Sequence, residues 1–182
     1  RDYYASRGLG DVYKRQQMYL GCELHSSMDM TDCLKKGERL TMSGSRYVLT
    51  EFRTSDEKSY IRERVQALIR KGYYPIIAHV ERYHSVVKNG LDFIDELRDM
   101  GAYIQMNADS IIGEDGFMIK RFCKKVIKEE MLDFVGSDGH DLARRTPHIG
   151  KCYDKIEKMM GTDYADMIFI SNPECIINNE RF

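Results

Sequence analysis

The feature of this sequence that most restricts its fold is a constant interval between polar residues that each follow a short apolar run. Four such residues are spaced 28 residues apart: Glu23, Glu51, His79 and Asn107. This interval accommodates one strand, one helix and two loops. Strands joined by crossover helices lie parallel, so their carboxyl ends emerge on one face of the sheet. The interval therefore predicts an α/β fold in which these side chains converge, as they do at the active face of a (β/α) barrel.

The stretch DFVGSDGHD continues the series, because Asp138 and His140 follow a short apolar strand 31 residues after Asn107. A carboxylate and an imidazole two positions apart suit a divalent metal with oxygen and nitrogen ligands. Taken alone, the stretch also fits a helix N-terminus with a solvated histidine. The whole series favours a metal site, since burying unpaired carboxylates is costly.

Two further residues of this region have open roles. Asn107 could equally cap a helix or form a turn. His25 lies two positions after Glu23 and is as compatible with a solvated loop as with a further metal ligand.

Composition limits the class of protein. The 182 residues are 42% hydrophobic, which predicts one domain with a sizeable core. The net charge of −1 indicates neither a nucleic-acid partner nor a membrane surface. No signal peptide or membrane-spanning stretch is visible. The five scattered cysteines favour free thiols in a reducing cytoplasm.

Hydrophobic periodicity and turn residues predict the elements around these sites. The expected strands cover residues 17–24, 47–50, 74–78, 102–106 and 133–136. The expected helices cover residues 31–37, 91–100, 117–130, 147–160, 163–169 and 172–177, and a further one runs from a cap at Thr54 to about residue 71. Thr54 and Glu57 are expected to form a capping box, Asn172 to cap the last helix, and residues 107–116 to form a polar loop. The basic residues of the helix 117–130 are expected to form a solvated outer face.

Three other residues bear on phosphate chemistry. Arg82 follows His79 closely, and a guanidinium beside a metal site can hold a phosphate group with two hydrogen bonds. Its alternative role is an ion pair with Glu81 or Glu51. Arg144 or Arg145, from the segment ARRTPHIG, could reach the same pocket.

A second route to phosphate chemistry is disfavoured. Cys33 and Arg39 have the spacing of thiol-dependent phosphotyrosine phosphatases, but the residues LKKGE between them are charged rather than glycine-rich. A low-pKa catalytic cysteine is therefore not expected here.

Several motifs in order carry a family resemblance: SRYVLTEF, PIIAHVERY, QMNADSIIG, GSDGH and ISNPECII. Together they resemble the manganese-dependent tyrosine phosphatases of bacterial capsular and exopolysaccharide operons, within the polymerase and histidinol phosphatase (PHP) superfamily. The resemblance extends from Met18 to the C-terminus. It implies a distorted (β/α) barrel, with residues 17–182 forming the C-terminal part of a single phosphatase domain.

The resemblance also implies residue roles. Five residues match metal ligands of a site that holds two to three divalent ions, expected to be manganese: Glu23, Glu51, His79, Asp138 and His140. Arg82 and Arg145 match the arginines that act on the phosphoryl group. The implied substrate is phosphotyrosine on the tail of a polysaccharide-assembly tyrosine kinase, and homo-oligomerisation is left open.

The implied reaction is hydrolysis of a phosphomonoester by a metal-activated water, without a covalent phosphoenzyme. Glu51, which lies between its neighbours in the series, is the expected bridge between two ions. Arg82 and Arg145 would neutralise charge on the transferring group. Two alternatives stay open: a histidinol phosphatase-like enzyme acting on a small ester, and an inactive fragment that serves only as a binding module.

The N-terminal residues depart from the family pattern. Residues 1–16 resemble a translated sequencing adapter or a disordered segment, and they stand where the family has a His-x-His strand, a further acidic ligand and a further histidine. The barrel is thus expected to lack its first strand–helix units.

We predict that the purified chain has little manganese-dependent phosphatase activity, because the metals would lack several ligands. Adding an N-terminal His-x-His segment should restore the activity. Turnover of a phosphotyrosyl peptide measures both forms, and rapid turnover by residues 1–182 alone would contradict the expectation.

Overall fold

A computed structural model describes residues 17–140 and 147–182. Its sheet has five strands in chain order: β1 (Glu23–His25), β2 (Tyr47–Glu51), β3 (Tyr74–Ile77), β4 (Tyr103–Asn107) and β5 (Phe134–Gly136). Every neighbouring pair is parallel. The predicted parallel α/β fold is therefore confirmed. Among the described strands, β1 and β5 each pair with one neighbour, and closure into a barrel stays a prediction.

Helices connect the strands and cover the sheet. The α-helices are α1 (Met30–Lys35), α2 (Lys58–Arg70), α3 (His84–Asn89), α4 (Leu91–Asp99), α5 (Ala108–Ile112), α6 (Phe117–Lys128), α7 (Ile149–Met160), α8 (Thr162–Asp166) and α9 (Asn172–Asn178). Two 3₁₀ turns cover Met42–Gly44 and Val80–Arg82, and a π-helical turn covers Met167–Ser171.

The core lies where the apolar helix faces meet the sheet. In α6, the buried residues Phe122, Cys123, Val126 and Ile127 recur with the period of one helix face. All five residues of β4 are buried, as expected for a central strand of a covered parallel sheet. This rigid centre holds the carboxyl ends of the strands in place.

An aromatic cluster closes the opposite end of the sheet. The first residues of β2, β3, β4 and β5 are Tyr47, Tyr74, Tyr103 and Phe134. The Tyr47 ring centroid lies 5.1 Å from that of Tyr74 and 5.3 Å from that of Tyr103. The Tyr47 hydroxyl donates to the Glu180 carbonyl oxygen at 2.7 Å, which joins the C-terminal segment to the sheet. The amino ends of the strands are thus packed.

Three predicted elements differ from the structure. The first strand covers only Glu23–His25, because it pairs with β2 alone and residues 17–20 are exposed. The expected capping box is absent at the start of α2, whose N-cap Glu57 makes no side-chain capping bond. The expected polar loop contains α5, because Ala108 and Ile111 bury themselves in the core.

The C-terminal helices also differ from expectation. The chain stays helical through the π-helical turn, so Asn172 begins α9 without a side-chain capping bond. Its Nδ2 instead donates to the Asp133 carbonyl oxygen at 2.8 Å. A tertiary hydrogen bond therefore replaces the predicted local one.

In the described ranges, no helix combines the length and the apolar content that crossing a bilayer requires. Each of the five cysteines is a free thiol.

The aromatic cluster predicts a large effect of substitutions at Tyr47. Tyr47→Ala should lower the free energy of unfolding by about 3–5 kcal/mol because it empties a fully buried site. Tyr47→Phe should cost only about 1 kcal/mol, the value of its hydrogen bond to Glu180. Urea denaturation measures both, with Tyr19→Ala as an exposed control. Equal losses for the two Tyr47 variants would contradict this assignment.

Candidate metal centre

Three neighbouring strands bring two carboxylates and one imidazole together. One ligand atom from each of Glu23, Glu51 and His79 lies within 4.8 Å of the others. His79 Nε2 is 3.0 Å from Glu23 Oε1 and 3.6 Å from Glu51 Oε2. Two oxygen donors and one nitrogen donor at these separations fit a divalent cation, which prefers such mixed ligands. The three residues thus form a candidate site for a divalent cation.

His25 extends this cluster along β1. Glu23 and His25 point to the same side of the strand, whereas Leu24 between them is buried on the other side. In the sheet register His25 is paired with Glu51, and His25 Nδ1 lies 3.3 Å from Glu51 Oε1. The two oxygens of Glu51 therefore face different histidines.

His79 is held by contacts on both sides of its ring. Its Nδ1 lies 3.3 Å from the Tyr83 hydroxyl, which donates to the Ala78 carbonyl oxygen at 2.8 Å. Burial raises the pKa of Tyr83, so this hydroxyl stays protonated. A proton on His79 Nδ1 can then be donated to the Tyr83 oxygen, which leaves the Nε2 lone pair facing the carboxylates. This tautomer is the one that a metal ligand requires.

Charge around His79 is balanced by Glu23. Burial of the imidazole opposes its charged form, but the hydrogen bond and the negative charge of Glu23 outweigh burial and raise the pKa of His79. A bound cation would compete with this proton for Nε2. Metal affinity should therefore fall as the pH is lowered.

The ends of β4 and β5 form a second group of polar residues. Asp138 Oδ2 accepts hydrogen bonds from Arg82 Nη1 at 2.7 Å and from Asn107 Nδ2 at 3.2 Å. His140 Nδ1 lies 2.7 Å from the Asp138 carbonyl oxygen and 3.5 Å from Asp138 Oδ1. Asp138 and His140 are not among the residues that share the 4.8 Å cluster. The ion pair of Arg82 is with Asp138, and not with Glu81 or Glu51 as in the alternative role that the sequence left open.

Gln105 joins the two groups. Its Oε1 accepts a hydrogen bond from the His79 backbone N–H at 2.5 Å, and its Nε2 donates to Asn107 Oδ1 at 3.1 Å. Asn107 in turn contacts Asp138. One buried side-chain amide thus links the His79 backbone to the Asp138 group.

The buried carboxylate of Glu81 holds the backbone of Asn107. This carboxyl group is 2% exposed, and its Oε1 accepts the Asn107 backbone N–H at 3.0 Å. Burial raises the pKa of Glu81 above its ordinary value of 4.5. The role that the structure shows for Asn107 is therefore to connect Glu81, Gln105 and Asp138.

Arg144 and Arg145 lie outside the described residues, as do residues 1–16. The described residues begin again at Pro147. His148 Nδ1 lies 2.8 Å from Asp109 Oδ1 at the start of α5. This contact positions the chain directly after the segment that carries Arg145.

The thiol of Cys33 does not have the properties of a nucleophile. Its pKa is raised, chiefly by burial and then by the hydrogen bond with Glu38 and the negative charge of Asp29. A catalytic thiolate requires the opposite shift. The structure agrees with the sequence-based argument against thiol catalysis.

Sequence reasoning did not identify Gln105, Glu81 or Tyr83 as parts of the site. Gln105 offered one signal, because it is a polar residue within the apolar strand YIQMN. Glu81 and Tyr83 lie in the 3₁₀ turn and directly after it, where surface polar residues are common. Their burial depends on the packing of distant segments.

The fold and the site together define a class: parallel α/β proteins that hold divalent cations at strand ends with carboxylate and imidazole ligands. Residues 7–178 match the model of the family described as capsular polysaccharide synthesis, CpsB/CapC. The chain therefore belongs to this family, which confirms the resemblance found in the sequence.

Its relatives are tyrosine-protein phosphatases. CpsB of Streptococcus pneumoniae is 32% identical over 165 residues, which are 88% of this chain and 68% of the relative. YwqE of Bacillus subtilis is 28% identical over 160 residues, which are 88% of this chain and 62% of the relative. The chain thus spans about two thirds of the length of these relatives.

The fold matches a solved structure of this class. The similar chain comes from the crystal structures of YwqE from Bacillus subtilis and CpsB from Streptococcus pneumoniae, which are described as unique metal-dependent tyrosine phosphatases. It superposes on the present chain with a TM-score of 0.83 at 26% identity. The match covers 90% of this chain and 66% of the other.

The buried contact between Glu81 and Asn107 can be tested by two substitutions. Glu81→Ala should lower the free energy of unfolding by about 2–4 kcal/mol, since it leaves a cavity and an unpaired buried N–H. Glu81→Gln keeps an acceptor oxygen and should cost less than about 1 kcal/mol. Urea denaturation compares them with the exposed control Glu129→Ala. A loss for Glu81→Gln as large as that for Glu81→Ala would refute the role of the acceptor.

Proposed function

We propose that this chain belongs to a manganese-dependent phosphatase that removes phosphate from tyrosines on the tail of a capsule or exopolysaccharide-assembly tyrosine kinase. The observation that carries the proposal is the cluster of Glu23, Glu51 and His79 at the carboxyl ends of parallel strands. The family description and the names of the relatives support a capsule-related phosphotyrosine substrate. The five free thiols support a cytoplasmic location.

The proposed metal ligands are Glu23, Glu51, His79, Asp138 and His140. Glu51 is the proposed bridge between two ions, because its two oxygens face His25 and His79 separately. Bound divalent ions would lower the pKa of a coordinated water and neutralise charge on the phosphate. The contact of Nδ1 with the Tyr83 hydroxyl keeps the His79 ring oriented for this role, and the hydrogen bond from the His79 backbone N–H to Gln105 holds the backbone in place.

Arg82 is the proposed phosphate-binding residue. One of its nitrogens donates to Asp138, and its side chain remains 29% exposed. A guanidinium has five N–H groups, so others remain available to grip phosphate oxygens. Arg145 is the second proposed arginine, and it would act with Arg82 to neutralise the transferring group.

The proposal predicts that manganese binding depends on the three-residue cluster. We expect His79→Ala and Glu51→Gln each to weaken Mn²⁺ binding at least about ten-fold, because each removes a ligand atom. Isothermal titration calorimetry on the chain measures the dissociation constants. His84→Ala is the matched control, since this histidine is exposed and outside the cluster.

Unchanged Mn²⁺ affinity in both variants would refute the metal site. The substrate is tested separately, with a chain extended by the His-x-His segment. Faster turnover of histidinol phosphate than of a phosphotyrosyl peptide would show a small-ester phosphatase. Binding of the peptide without turnover, with metal supplied, would show a binding module.

A further inference from the structure

A cavity of about 250 Å³ lies between α5, α6 and α7, and none of its lining residues belongs to the metal centre. Three apolar side chains form part of its wall: Ile111, Ile127 and Met159. The remaining lining residues are all lysines: Lys120, Lys124, Lys155 and Lys158. We call this cavity the lysine pocket.

Helical spacing brings these lysines to one place. Lys120 and Lys124 are one turn apart on α6, and Lys155 and Lys158 are one turn apart on α7. The sequence predicts that the lysines of α6 form part of a solvated outer face. Both Lys120 and Lys124 are exposed, in agreement with that prediction, and the packing of α7 beside α6 also makes them part of a cavity wall.

The charge of the lysine pocket is uncompensated within the described part of the chain. No carboxylate lines the cavity. Among residues 17–140 and 147–182, none of the four lysines has an ion-pair partner. Lys155 is half-buried, and its Nζ donates to the Ile111 carbonyl oxygen. The pKa of Lys155 is lowered, first by burial and then by the positive charge of Lys120. Lys120 and Lys155 thus line the same cavity beside an apolar wall.

We propose that the lysine pocket binds an amphipathic anion, a carboxylate or phosphate group attached to an apolar chain. The anionic group would lie between Lys120 and Lys155 and relieve their mutual repulsion. The apolar chain would cover Ile111, Ile127 and Met159 and remove their surface from water. Charge and apolar area both contribute, so neither a small anion nor a neutral chain should bind as well.

The test uses octanoate as the probe, because it carries a carboxylate on an apolar chain and cannot be hydrolysed by a phosphatase. Calorimetry on metal-free protein should detect octanoate binding, with acetate and octanol binding at least about ten-fold more weakly. Lys155→Met and Lys120→Gln should each weaken octanoate binding about ten-fold, the loss of one charged hydrogen bond. Lys128→Gln, on the same helix and exposed, should bind as the wild type does.

Four results would overturn the proposal. The first is the absence of octanoate binding to the wild-type chain. The second is octanol binding as tight as octanoate binding, which would show an apolar site only. The third is unchanged affinity of Lys120→Gln for octanoate. The side chain of Lys120 is exposed, so this variant is expected to fold, and circular dichroism checks that it does. Loss of octanoate binding in His79→Ala would place the anion at the metal centre and would equally refute the lysine pocket.

Discussion

The parallel alignment of five strands in chain order is the constraint on which the rest of this molecule depends. It carries the polar residues at the strand ends to one side, where Glu23 and Glu51 repel each other unless a positive charge lies between them. The imidazole of His79 supplies part of this compensation. A site with excess negative charge at the end of a rigid sheet has the electrostatic character of a cation site.

A buried polar network makes that site rigid. Gln105 contacts both His79 and Asn107, and Glu81 holds the Asn107 backbone. Hydrogen bonds of this kind are strong in a low-dielectric interior and costly to leave incomplete. The network therefore connects β4 to the proposed metal ligands on both sides of it, so the position of these residues does not depend on exposed loops alone.

Much of this arrangement follows from the sequence. The constant interval indicated the parallel strands and the side on which Glu23, Glu51 and His79 meet, because periodicity and strand ends are local properties. Three features could not be predicted from such local signals: the short length of β1, the presence of helix α5 and the hydrogen bond of Asn172. Each depends on a partner distant in the chain: a neighbouring strand, the core, or the Asp133 carbonyl. The same reason explains why Arg82 pairs with Asp138, whereas the alternative that the sequence left open was an ion pair with Glu81 or Glu51.

The backbone of His79 has a left-handed conformation, with φ of 34°. Residues other than glycine adopt this region only at an energetic cost, of order 1–3 kcal/mol. The turn directs the chain abruptly from β3 into the Val80–Arg82 segment and at the same time presents the ring to Glu23. Glycine would adopt this backbone conformation with less strain, but it has no imidazole that could approach Glu23. The molecule therefore keeps a strained backbone conformation at its candidate metal centre. Selection for thermal stability alone would be expected to replace His79 with a residue that adopts this conformation without strain.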